Sequence, residues 1–113
     1  MILYRPVGEA ELKLIADSGY TAFPPRLPDQ PIFYPVLNER YAAEIAEKWN
    51  AVGGNKGFVT RFEVKDSFCG RYKVQTVGRS YHQELWIPAE ELDAFNSHII
   101  GKIEIIAEYG GEK

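Results

Sequence analysis

The strand-like stretches of this chain are short, and amphipathic helices and proline or glycine breaks keep interrupting them. That pattern constrains the fold more than any other feature. Strands alternating with helices at this spacing read as β-α-β-α-β-β-β-α-β, which suits an α+β domain better than a doubly wound sheet. Ile2 to Arg5 reads as a strand stopped by Pro6 and Gly8. Glu9 to Ser18 follows as a helix, with Leu12, Ile15 and Ala16 at helical spacing, acids in the first turn and Gly19 as a stop. Pro24, Pro25, Pro28 and Pro31 then make 20–31 an extended loop. Ile32 to Val36 reads as a short strand, with Pro35 at an edge or strand-end position. Asn38 caps the strongest helix, Glu39 to Ala51, whose expected buried stripe is Tyr41, Ala42, Ile45, Ala46 and Trp49.

Beyond the glycines at 53, 54 and 57, Phe58 to Val64 alternates as a strand. Asp66 to Gly70 reads as a turn or single helical turn, Tyr72 to Thr76 and Gln83 to Ile87 as strands, and Pro88 as the start of a short helix. Lys102 to Ala107, entered through Gly101, closes the chain as a strand. At 113 residues, 1–113 is expected to be one domain around a single core.

Charge narrows the partners. Thirteen basic and 16 acidic residues are spread along the chain, giving a net charge of −3. No clustered basic face is evident, so general nucleic-acid binding is not expected. Cys69 is the sole cysteine and the two histidines are His82 and His98, too few for a convincing metal site. No apolar run approaches the roughly 20 residues a membrane span needs, and the N-terminus turns polar too early for a secretory leader. A cytoplasmic protein without a membrane partner is the expectation.

The chemistry concentrates in three places. Arg79-Ser80-Tyr81-His82-Gln83-Glu84 runs directly into Leu85-Trp86-Ile87. Strand alternation puts His82, Glu84 and Trp86 on one side, so an imidazole and a carboxylate can address one cleft. An exposed strand-end acid beside a solvated histidine is the plainer reading of the same residues. Arg5 ends the first strand beside Tyr4 and serves either as a rim ion pair or as an anchor for a carboxylate or phosphate. Arg26 stands in the proline-rich loop, either on a rigid connector or beside a cleft where it could meet an anion.

Taken in order, Tyr4-Arg5, then Ile32-Phe33-Tyr34-Pro35-Val36 before the Asn38 helix, then His82-Gln83-Glu84-Leu85-Trp86-Ile87-Pro88 resemble the ADP-ribosyltransferase fold. The chain is similar as a whole to small bacterial proteins labelled "ADP-ribosylation/crystallin J1". The resemblance implies a split two-sheet domain with two to three helices and NAD bound as substrate between the sheets. It implies that Glu84 stabilises positive charge on the ribose as the nicotinamide bond breaks and holds the 2′-hydroxyl. Arg5, with Tyr4 beside it, would contact the adenosine ribose or a phosphate, Tyr34 would stack on nicotinamide, and His82 would orient an unknown acceptor or act as its base. Departures from the family pattern are plain: His82 stands where Gln or Glu is usual, and no Ser-Thr-Ser segment occurs. The alternative is a domain of the same fold that binds a nucleotide or a protein without turnover. A purely structural interaction module, such as a toxin-neutralising partner, is the third reading.

Overall fold

The computed structural model describes residues 1–111, and within them the chain is mixed α+β. Strand β1, Ile2–Gly8, pairs antiparallel with β3, Lys56–Val64, which pairs antiparallel with β7, Ile99–Gly110. Central β3 is buried on both faces. Phe58 and Phe62 face one cluster with Leu3, Val7 and Ile103, while Val59 faces a second with Val36, Ala42 and Ala46. Helix α1, Glu9–Asp17, supplies Ile15 to the first cluster; helix α2, Glu39–Ile45, supplies Ala42 to the second.

Strand β1 does not stop at Pro6, as expected, but runs on to Gly8. The reason lies in its edge position. Tyr4 donates to and accepts from Val36, so the peptide groups of Tyr4, and two residues on those of Pro6, point away from β3. The N–H that proline lacks is one the ladder to β3 never needed. Its absence instead ends pairing on the outer side, and the edge of β1 stands open beyond Tyr4.

Two expected strands each prove to be two pieces. Ile32–Phe33, β2, pairs with β6, Ile87–Pro88. Val36 is bridged separately to Tyr4 on one side and Glu84 on the other. Gln83–Leu85, β5, pairs with β4, Val74–Thr76. The segment around Val36 therefore stitches β5 to β1, while β2 and β6 form a separate ribbon. Both chains change partner at an aromatic residue, Tyr34 and Trp86, and both rings are left exposed, at 40 % and 44 %.

The second helix also departs from expectation. After Ile45 it widens into a π-helical turn, Ala46–Asn50. One extra residue in the turn rotates the helix beyond it, so Trp49 leaves the core and is 75 % exposed. The helix lies tight on β3 at Gly57, where a Cβ would run into the Ala46 carbonyl oxygen. Further on, Asp66–Cys69 forms a four-residue helix, α3, and Leu92–Ser97 a fourth, α4, so the described residues hold four helices where two to three were expected. Phe23, from the proline-rich loop, enters the core against Phe33 and Phe62. Among the described residues no helix is long and apolar enough to cross a membrane.

Candidate functional site

The open edge of β1 is where the site is built. Alternation along β1 sends Arg5 to the α1 face, with Leu3 and Val7, and sends Tyr4 to the α2 face. Arg5 is 7 % exposed. Its Nε and Nη2 donate to the two carboxylate oxygens of Glu11 on α1, at 2.7 and 3.0 Å, a two-point clamp that fixes the plane of the guanidinium. The same group lies 4.7 Å from the Phe33 ring centroid and 5.7 Å from that of Tyr34.

Two cavities meet at this point. The larger, about 440 Å³, wraps around the edge of β1, with Arg5 and Glu11 on one side and Tyr41, Trp49 and Asn50 on the other. The smaller, about 380 Å³, lies between α1 and the proline-rich loop and is lined by Arg26 and Leu27. Arg5, Glu11 and Tyr34 line both. Each volume falls in the range of small-molecule sites, which is about 300–1,000 Å³.

Glu84 is placed differently. It continues the row Tyr4–Val36–Glu84 on the α2 face, so its side chain and that of Arg5 stand on opposite faces of the sheet. The carboxylate is 7 % exposed, and both of its oxygens are engaged. Tyr41 Oη donates to one at 2.8 Å and Trp86 Nε1 to the other at 2.7 Å. Tyr41 is therefore the wall between Glu84 and the larger cavity. Burial, with the hydrogen bond to Glu84 next in weight, holds its phenol well above the usual tyrosine range, so it stays a neutral donor.

His82 reaches the same wall from the other side. Its ring stacks on Tyr41, 4.4 Å between centroids. The backbone N–H of Arg79 donates to Nδ1 at 3.1 Å, which leaves Nε2 to carry the proton toward Glu44 Oε1, also 3.1 Å away. Tyr81 donates to the other oxygen of Glu44, and this bond holds the Glu44 carboxyl below its ordinary range and pushes the Tyr81 phenol up. His82, Glu84 and Trp86 thus gather around Tyr41, on the side where strand alternation puts them. Arg5, Tyr34 and Arg26 gather on the other side of it, along the cavities. Tyr4 packs into the second core cluster and lines neither cavity.

Four residues of this site do not stand out in the sequence as site residues. Tyr41 reads there only as part of a core stripe. Glu11 is legible only as a first-turn acid. Asn50 and Glu44 carry no signal at all. Cys69 is buried, burial pushes its thiol up, and it lies away from both cavities. Among the described residues, no cluster of His, Cys, Asp and Glu could hold a metal ion.

Comparison with models of known families, with curated proteins and with solved structures gave no match for this chain.

Proposed function

We propose that this chain binds an ADP-ribose-like nucleotide, with NAD the first to test, in the paired cavities along the open edge of β1. The observation that carries the reading is the placing of Arg5. A buried guanidinium fixed by Glu11 stands where the two cavities join, under the exposed ring of Tyr34. A planar cation, an aromatic face and a cleft of this size are what a phosphorylated ribose joined to a flat ring requires. Fold resemblance adds the identity of the nucleotide but rests on short motifs alone.

Transfer of ADP-ribose is the second reading, and one observation favours it. Glu84 is a nearly buried carboxylate held by two neutral donors, Tyr41 and Trp86, one side chain away from the larger cavity. Cleavage of the nicotinamide–ribose bond develops positive charge on the ribose, which a fixed carboxylate stabilises. For Glu84 to do so, Tyr41 would have to turn aside and give up its bond. Binding without turnover needs no such movement, which is why it stands first.

The two readings separate in one experiment. NAD at about a hundred times its Kd raises stability by roughly 2.7 kcal/mol under either reading, seen as a higher melting temperature. Nicotinamide release, followed by chromatography, occurs only under the second and is abolished by Glu84→Gln. No thermal shift with NAD or ADP-ribose at millimolar concentration would overturn both.

A further inference from the structure

The smaller cavity holds a feature that the protein leaves unanswered. Arg26 projects from the proline-rich loop to within 5.9 Å of the Phe33 ring centroid, the ring that Arg5 also covers at 4.7 Å. Two guanidinium groups therefore share one aromatic ring. The carboxylate lining this cavity, Glu11, is committed to the Nε and Nη2 edge of Arg5. Arg26 Nε is buried and has no hydrogen-bond partner among the described residues. Arg5 Nη1 likewise takes no part in a hydrogen bond among the described residues. A buried donor without an acceptor costs about 1–3 kcal/mol, more when charged, so a fold that keeps one has to be offset by something the donor meets.

The loop is not free to carry Arg26 away from Arg5. Pro24, Pro25 and Pro28 restrict its backbone. Leu27 and Gln30 close it with two bonds, from Gln30 N to the Leu27 carbonyl at 2.9 Å and from Leu27 N to Gln30 Oε1 at 3.1 Å. Burial and the neighbouring Arg5 both press the Arg26 guanidinium below its ordinary range, with Glu11 opposing them. Like charges held close by a stiff loop are an incomplete arrangement, and an anion completes it.

We propose that the smaller cavity is an oxyanion subsite, in which Arg26 Nε and Arg5 Nη1 together take a phosphate or diphosphate group. The subsite deepens the nucleotide reading and rests on it only for the identity of the whole ligand.

The test uses inorganic pyrophosphate, ADP-ribose and adenosine in calorimetric titrations at low salt, with the full chain and with Arg26→Gln. Pyrophosphate binds the wild-type chain at one site, and Arg26→Gln weakens it at least about tenfold, as loss of a charge-assisted bond implies. Should Arg26→Gln lower the melting temperature, phenylglyoxal modification of Arg26 in the wild-type chain, read by mass spectrometry, gives the same answer: pyrophosphate slows it. Absence of pyrophosphate binding, or binding that neither Arg26→Gln nor phenylglyoxal senses, overturns the subsite. Pyrophosphate binding through Arg26 without any ADP-ribose or adenosine binding keeps the subsite and overturns the nucleotide reading. Adenosine binding as tightly as ADP-ribose keeps the nucleotide reading and overturns the subsite.

Discussion

Replacing Tyr41 by Phe removes one oxygen atom and isolates the bond on which the arrangement of the site depends. In the wild-type chain the phenol donates to Glu84 at 2.8 Å, and the carboxylate is 7 % exposed. The variant leaves one carboxylate oxygen with no donor, while Trp86 still holds the other. Loss of a hydrogen bond to a charged group costs about 1.5–3 kcal/mol. Tyr41 borders a cavity, so water can partly replace it, and about 2 kcal/mol is the expected loss. For a domain of 113 residues that corresponds to a fall in Tm of roughly 8 °C. Scanning calorimetry and urea titration at neutral pH measure it. A double-mutant cycle with Glu84→Gln then tests the cause, because Tyr41→Phe should cost much less once residue 84 carries no charge. A loss under about 0.5 kcal/mol, or full additivity in the cycle, would show that Tyr41 does not hold Glu84 in solution. The carboxylate would then be free to reach the cavity, and the order of the two functional readings would reverse.

Gly57→Ala drives a methyl group into the Ala46 carbonyl oxygen and to 2.8 Å from Asn50 Cβ, and backbone cannot swing aside as a side chain can. Denaturant titration should show a loss of about 1–3 kcal/mol or more, and the fluorescence of Trp49 on the displaced turn should change with it. Strong alkali should destabilise the fold through its tyrosines. The phenols of Tyr41 and Tyr72 are raised in the folded chain, Tyr72 to about 12, by burial and by bonds to Glu84 and Glu91. The unfolded chain releases these protons near pH 10 and the folded chain only above that, so their contribution is intact below about pH 10 and lost as pH rises beyond it. Urea midpoints should hold steady from pH 8 to about 9.5 and fall beyond about pH 10. Tyr41→Phe should make that fall shallower.

Much of this fold is legible in the sequence because its signals are local. Asn38 accepts from Tyr41 N at 2.8 Å, as its place before an apolar stripe predicts. Phe58 to Val64 alternates as a strand must. Partner choice is not legible. Nothing local says that the run from Ile32 to Val36 leaves β6 at Tyr34, or that Gln83 to Ile87 changes neighbours at Trp86. A regular helix would bury Trp49, and the π turn that exposes it lies against distant Gly57. Pro6 reads as a stop because the free side of an edge strand is known only once β3 is in place.

The candidate site divides in the same way. Arg5, Tyr34, His82 and Glu84 stand out in the sequence as polar or aromatic groups at expected strand ends. Whether they share one cleft depends on which face of the sheet each takes, and on Tyr41, whose helix packs between them. Glu11 cannot be matched to Arg5 from sequence, because first-turn acids are common on helices and most serve only the helix dipole.

The central claim is that the open edge of β1 receives a nucleotide beneath Tyr34. Calorimetric titration of NAD into the wild-type chain and Tyr34→Ala tests it most directly, since the ring is 40 % exposed and its loss should leave the core intact. Saturable one-site binding, weakened about tenfold or more in Tyr34→Ala, is the predicted result, because a stacked base is worth about 1–3 kcal/mol. Equal affinity in the two chains, or no saturable heat at millimolar NAD, would contradict it.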